Sequence, residues 1–129
     1  MNKIIVEVSV GELFDKVSIL EIKKEKIKDP EKLKFINNEQ SILKDQLKKN
    51  VKSDDKLNTL YQSLKDINAK LWVIEDDKRQ CEKNKDFGEK FIKLSRDIHF
   101  LNDDRAKIKL EINNHTGSVI KEIKEYTSY

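Results

Sequence analysis

The sequence predicts a mainly α protein: an antiparallel helical bundle around one long helical hairpin, with a short N-terminal β-strand. Three observations carry this. Charged residues make up 40% of the 129 residues, with three Gly and one Pro. That composition suits long helices and leaves a sheet short of turn residues. Two long stretches repeat apolar residues at alternating spacings of three and four. Helix-start signatures stand directly before the periodic segments.

The elements follow in order. IIVEV, residues 4–8, alternates and is β-branched, which predicts a strand over about 4–8. One strand needs a partner, and another subunit is one source. Ser9 followed by Glu12 forms a capping-box signature, in which hydroxyl and carboxylate satisfy free N–H groups. A helix is expected over about 10–27. Asp29 and Pro30 open a second helix over about 30–49, with Leu33, Ile36, Leu43 and Leu47 on one face. VKSDD is a polar break, with Ser53 or Asp54 as the next cap.

The next two helices, expected over about 54–83 and 87–115, carry the strongest pattern. Leu57, Leu60, Leu64, Ile67, Leu71, Ile74, Lys78 and Cys81 make one seam. Phe87, Phe91, Leu94, Ile98, Leu101, Arg105, Ile108 and Ile112 make the other. The link between them is short, so the pair should fold back as an antiparallel hairpin. Asp86 and Glu89 give a second capping-box signature, and Gly117 should end the last helix in a left-handed conformation. The short segment 118–129 is expected to form one or two turns. The whole chain, 1–129, reads as one helical domain.

Composition bounds the function. Net charge is +3, with acids interspersed among the bases. That argues against a dedicated nucleic-acid binder. A single cysteine, Cys81, excludes an internal disulfide. No apolar run is long enough to span a membrane, and the alternating first residues do not form a signal peptide. The expected compartment is the cytoplasm.

Residues one position after each seam form a polar stripe. On the third helix it holds Tyr61, Lys65, Asn68, Trp72, Glu75, Arg79 and Glu82; on the fourth, Gly88, Ile92, Ser95, His99, Asn102, Ala106, Lys109 and Asn113. In an antiparallel pair the two rows share one side. Two accounts of this surface compete. Helices 1 and 2 can pack there, with the charges paired at helical spacing, as Glu75 with Arg79. Or the stripe lines a pocket in which amides and cations orient a ligand and Trp72 stacks on it.

Arg105 bears on the choice. A guanidinium in an apolar seam must be paired, and Lys109 four residues on repels it. Either an acidic partner, with Asp66, Glu75 and Asp76 as candidates, or a bound anion answers both.

Other chemistry is weakly signalled. Cys81 sits in a seam as a small apolar residue. His99 and Asp103 share a face, but no Glu-x-x-His pair accompanies them, so no metal is expected. Glu75, Asp76 and Asp103 could serve as acid or base, though such carboxylates are usually solvated. No phosphate loop or dinucleotide fingerprint occurs, so no cofactor is expected.

Three blocks carry a resemblance: VSVGELFDKVSILEIK, INAKLWVIEDDKRQCE, and DFGEKFIKLSRDIHFLNDDRAKIKLEIN. Together they resemble an uncharacterised family of small bacterial and phage proteins, designated only as a domain of unknown function. The resemblance spans Val8 to Ser118, with little signal between Pro30 and Leu64. By matching position, its pattern includes Gly11, Glu12, Asp15, Lys16 and Lys23 in the first block. It includes Trp72, Glu75, Asp76, Arg79 and Cys81 in the second, and Phe87, Phe91, Arg96, Asn102, Asp103, Arg105, Lys109 and Asn113 in the third. The family's usual tail, acidic residues followed by Lys-Ser-Tyr, is replaced here by EIKEYTSY. The resemblance also implies a setting near surface-sugar assembly genes. A pattern so rich in charges, amides and aromatics strengthens the pocket account.

The leading expectation is therefore a non-enzymatic binding protein for a small anionic ligand, nucleotide-like or a nucleotide-sugar. If phage-encoded, it would sequester a host signalling nucleotide. The expected ligand-binding residues are Lys16, Lys23, Trp72, Arg79, Arg96, Asn102, Arg105 and Lys109. The chain is expected to be a homo-oligomer, since one strand and long seams leave edges to cover. The alternatives are a protein-interaction or adaptor protein linked to surface-polysaccharide assembly, and a small acid/base enzyme.

Overall fold

A computed structural model describes residues 2–129. It contains four helices: α1 (Val10–Lys26), α2 (Pro30–Asn50), α3 (Asp55–Lys83) and α4 (Glu89–Thr116). The expected strand is not seen, and no strand occurs among the described residues. Residues 4–8 are β-branched enough to favour a strand, but no second segment among the described residues pairs with them.

Local chemistry sets the helix ends. Ser9 caps α1 by accepting from the Glu12 N–H at 3.1 Å. Only this half of the expected capping box forms, because the Glu12 carboxylate turns to Lys109 instead. Asp29 accepts from the Glu31 N–H at 3.0 Å with Pro30 in the first turn, and Asp54 accepts from the Leu57 N–H at 2.7 Å. The second capping box does not form. Asp86 accepts from the Gly88 N–H, so α4 begins at Glu89 and Phe87 stays outside it, exposed. Gly117 ends α4 with φ 66°, in the left-handed region that favours glycine. Residues 118–129 form no helical turn and run back along α4.

Helices α3 and α4 pair along their length as the expected hairpin. The 29 residues of α3 span roughly 40 Å at about 1.5 Å per residue. Helix α1 lies across the open end of this hairpin and touches both of its helices. Helix α2 packs on α1 alone. The core sits where α1 meets the hairpin. Leu57, Leu64 and Ile112 are its buried centre, with Val10, Phe14, Val51, Leu60 and Ile108 against them. Only Ile36 and Gln40 of α2 are buried, while Phe35 and Ile42 face water. No described helix is long and apolar enough to cross a membrane.

Candidate functional site

The polar stripe of the hairpin divides into a covered and an open part. Helix α1 lies over Asn68, Lys109 and Asn113, and its own polar residues meet them. Along α1, Gly11, Asp15, Ser18 and Ile22 recur at spacings of four, three and four, and all are buried. Two of these core-facing positions are therefore polar.

Asp15 is the centre of the cluster, at 1% exposure. Arg105 Nε donates to its Oδ1 at 2.9 Å, and Arg105 Nη2 donates to Oδ2. This two-pronged contact is the arrangement the planar guanidinium favours. The Asn68 amide donates to Asp15 Oδ1 and to the Ser18 hydroxyl, both at 2.8 Å. Ser18 in turn donates to the Asp15 carbonyl. Lys109 donates to the Glu12 carboxylate at 2.6 Å and stands 3.8 Å from Asp15. Asp15, Ser18, Asn68, Arg105 and Lys109 thus all find partners across the interface.

The electrostatics follow. Burial pushes the Asp15 carboxyl up, but hydrogen bonds from Arg105 and Asn68 and the charges of Arg105 and Lys109 outweigh it and hold the group below its ordinary value of 3.8. The Asp15 hydrogen bond raises the Arg105 pKa further. Two carboxylates face two cations, so the cluster has no net charge to offer an anion. Lys16 approaches Glu12 at 3.9 Å and Glu122 approaches Lys109 at 3.6 Å, adding one charge of each sign.

Gly11 sets the close approach of α1 to α4. Its N–H donates to Asn113 Oδ1 at 2.6 Å, and a β-carbon there would lie 2.5 Å from the Lys109 carbonyl oxygen. Beside it, Ser118 accepts from the Val10 N–H at 3.1 Å. One polar atom stands apart. The Tyr61 hydroxyl is buried and makes no well-formed hydrogen bond among the described residues; burial first, then the charge of the Glu21 carboxylate and its approach to the hydroxyl, raise its pKa.

The expected ligand-binding residues are thus divided. Arg105 and Lys109 come together, with Asn102 accepting from Arg105 at 3.4 Å. Their acidic partners are Asp15 and Glu12 of α1. Of the candidates on α3, Asp66, Glu75 and Asp76, none forms an ion pair with Arg105 among the described residues, though the Glu75 charge lies near enough to help raise its pKa. Lys16 is exposed and bound only to Glu12. Lys23 and Trp72 are half-buried, and Arg79 and Arg96 are exposed. Lys23, Arg79 and Arg96 hold no ion pair among the described residues, so Glu75 and Arg79 do not form the pair their spacing suggests. His99 and Asp103, which share a face, both meet the tail: Tyr129 packs on His99 at 5.0 Å between centroids, tilted by 45°, and donates to Asp103. Lys78 lies over the Phe91 ring at 5.2 Å, which explains its place in the seam.

The half of the hairpin beyond α1 is bare. Val73, Phe87, Ile92 and Phe100 are each 40% exposed or more. A depression of about 470 Å³ lies on α4 between Glu89, Ile92, Lys93, Arg96, Asp97 and Phe100. Arg96 stands over the Phe100 ring at 5.8 Å. No group of three potential metal ligands occurs among the described residues.

Sequence reasoning missed Asp15 as the partner of Arg105, and Asn68 and Ser18 as the groups that bond Asp15 beside it. The signal was there, in the α1 stripe of Gly11, Asp15, Ser18 and Ile22, where polar residues stand at core spacing.

Comparison with known families agrees with the blocks of sequence that carry this cluster. A family model matches residues 4–129. The chain belongs to the family of unknown function DUF6165. The DUF6165 match takes in all four helices, both halves of the hairpin, and the tail. No curated protein and no solved structure matches the chain.

Proposed function

We propose that this DUF6165 chain is a non-enzymatic interaction protein that receives an amphipathic helix of a partner protein along the bare half of the α3–α4 hairpin. One observation carries the reading: the charged cluster is closed and charge-balanced, whereas Ile92, 56% exposed, borders an open depression on α4 whose far edge is Phe100, itself packed against Arg96 and Tyr129. An apolar centre rimmed by Glu89, Lys93, Arg96 and Asp97 suits a helix with an apolar stripe and mixed charges at its edges. An adaptor role in surface-polysaccharide assembly is one setting for such docking.

A photo-crosslinking residue at position 92 of the full chain, in lysate of the source organism, tests this. One defined polypeptide should be captured from position 92 and none from position 32 on exposed α2. Capture of the same set from both positions, or of nothing, defeats the reading.

A second reading remains, binding of a small anionic nucleotide-like ligand. What favours it is that the guanidinium groups of Arg79 and Arg96 are exposed and hold no ion pair among the described residues, with Trp72 on the same stripe as Arg79. A bound ligand raises the melting temperature. Nucleotides and nucleotide-sugars should then give a rise that is lost in Arg96→Ala. No rise with any of them ends this second reading.

A further inference from the structure

Residues 4–8 are the least protected apolar run in the chain. Ile4 is 87% exposed, Ile5 81% and Val6 70%, and none of residues 2–8 belongs to a helix or strand. β-branched residues in alternation favour a half-buried strand, and a strand needs an edge to pair with. Among the described residues no such edge exists, so one from outside is needed.

The sequence of the segment indicates which edge. Lys3, Ile4, Ile5, Val6 and Glu7 are complementary to themselves in the antiparallel sense. Centred on Ile5, a second copy sets Lys3 opposite Glu7 of the partner subunit. It sets Ile4 opposite Val6 of the partner subunit, and Ile5 opposite itself. Opposite charges and β-branched pairs are the favourable cross-strand combinations. A shift of one residue either way sets Ile4 against Glu7 or Lys3 against Val6, so this register is preferred over its neighbours.

The same register sorts the faces. Lys3, Ile5 and Glu7 share one face, and Ile4, Val6 and Val8 share the other. A two-stranded ribbon alone is marginal. The apolar face therefore needs cover, and the tail begins beside it: Ser118 holds the Val10 N–H, and Val119 next to it is fully exposed.

We propose that the chain dimerises by antiparallel pairing of residues 3–7 with the same residues of a second copy, the apolar face of the ribbon closing on the start of the tail. This does not depend on how the hairpin is used.

Sedimentation equilibrium on the full chain tests it. The protein should be a dimer. Ile5→Lys sets two ammonium groups face to face at the dyad and should leave a monomer with unchanged helical circular dichroism, because Ile5 contributes nothing to the bundle core. Lys3→Glu should weaken the dimer about tenfold, through two like-charge pairs. The double reversal Lys3→Glu/Glu7→Lys should restore it. A chain that stays monomeric up to millimolar concentration overturns the proposal. So does a dimer indifferent to Ile5→Lys, or one that the double reversal fails to rescue.

Discussion

The two halves of the α3–α4 hairpin share one seam and one flanking stripe, yet they end in different environments. The half under α1 buries Leu57, Leu64 and Ile112 and closes its charges around Asp15. The half beyond α1 leaves Val73 and Ile92 in water, Phe100 partly so beside Arg96 and Tyr129, and its arginines without an ion pair among the described residues. The difference comes from the third helix, since a two-helix seam buries only one side of each helix. A polar residue in a stripe is structural where a third element supplies its counter-charge. It is available to a partner where none does.

That contrast can be broken most forcefully at Asp15. Asp15→Ala leaves Arg105, Lys109 and Asn68 without their shared acceptor. It should cost about 3–5 kcal/mol of unfolding free energy, measured by urea denaturation. A loss below about 1 kcal/mol would mean that the cluster is not what joins α1 to the hairpin.

Gly11→Ala comes next. Its β-carbon must push α1 off the Lys109 carbonyl, at about 1–3 kcal/mol.

Acid should act on the covered half first. The Asp15 carboxyl is held below 3.8, so its stabilisation is complete above that pH and is lost as pH falls through the lower folded value. Denaturant midpoints should drop on acidification below about pH 4 in the wild type, and the Asp15→Asn variant should lose this part of the dependence.

Tyr61→Phe removes a buried hydroxyl that makes no well-formed hydrogen bond among the described residues. It should be neutral or stabilise by up to about 1 kcal/mol, read as an unchanged or raised melting temperature. A clear loss would reveal a partner for the hydroxyl.

The smallest effect belongs to the bare half. Ile92→Ser should change stability by less than about 0.5 kcal/mol while abolishing crosslinking near that position. A larger loss of stability would show that Ile92 already packs against the protein itself.

Much of the fold was legible because helix formation is local. The seam of Leu57, Leu64, Leu71 and Cys81 announced α3, Asp29 with Pro30 announced α2, and Gly117 stopped α4 where expected. The α4 start was misread by two residues: Asp86 followed by Glu89 resembles a capping box, but the Asp86 carboxylate bonds the Gly88 N–H instead. The strand at 4–8 was read from a pattern that describes a preference, and a preference needs an edge before it becomes structure. At the candidate site, the need to pair Arg105 was legible, but its partner was not. Asp15 lies 90 residues away on another helix, and nothing in the hairpin's own periodicity says which flank α1 will cover.

The sequence by itself thus determined the helices, most of their ends, and that a cation in the seam had to be neutralised. Those outcomes depend on spacing, capping and the cost of burying charge, all of which act within a few turns of chain. Only the tertiary structure decided that α1 would lie across the open end of the hairpin and present Asp15 to Arg105. Packing of distant surfaces chooses which polar residues are closed over and which stay in water, and local preferences carry no record of that choice.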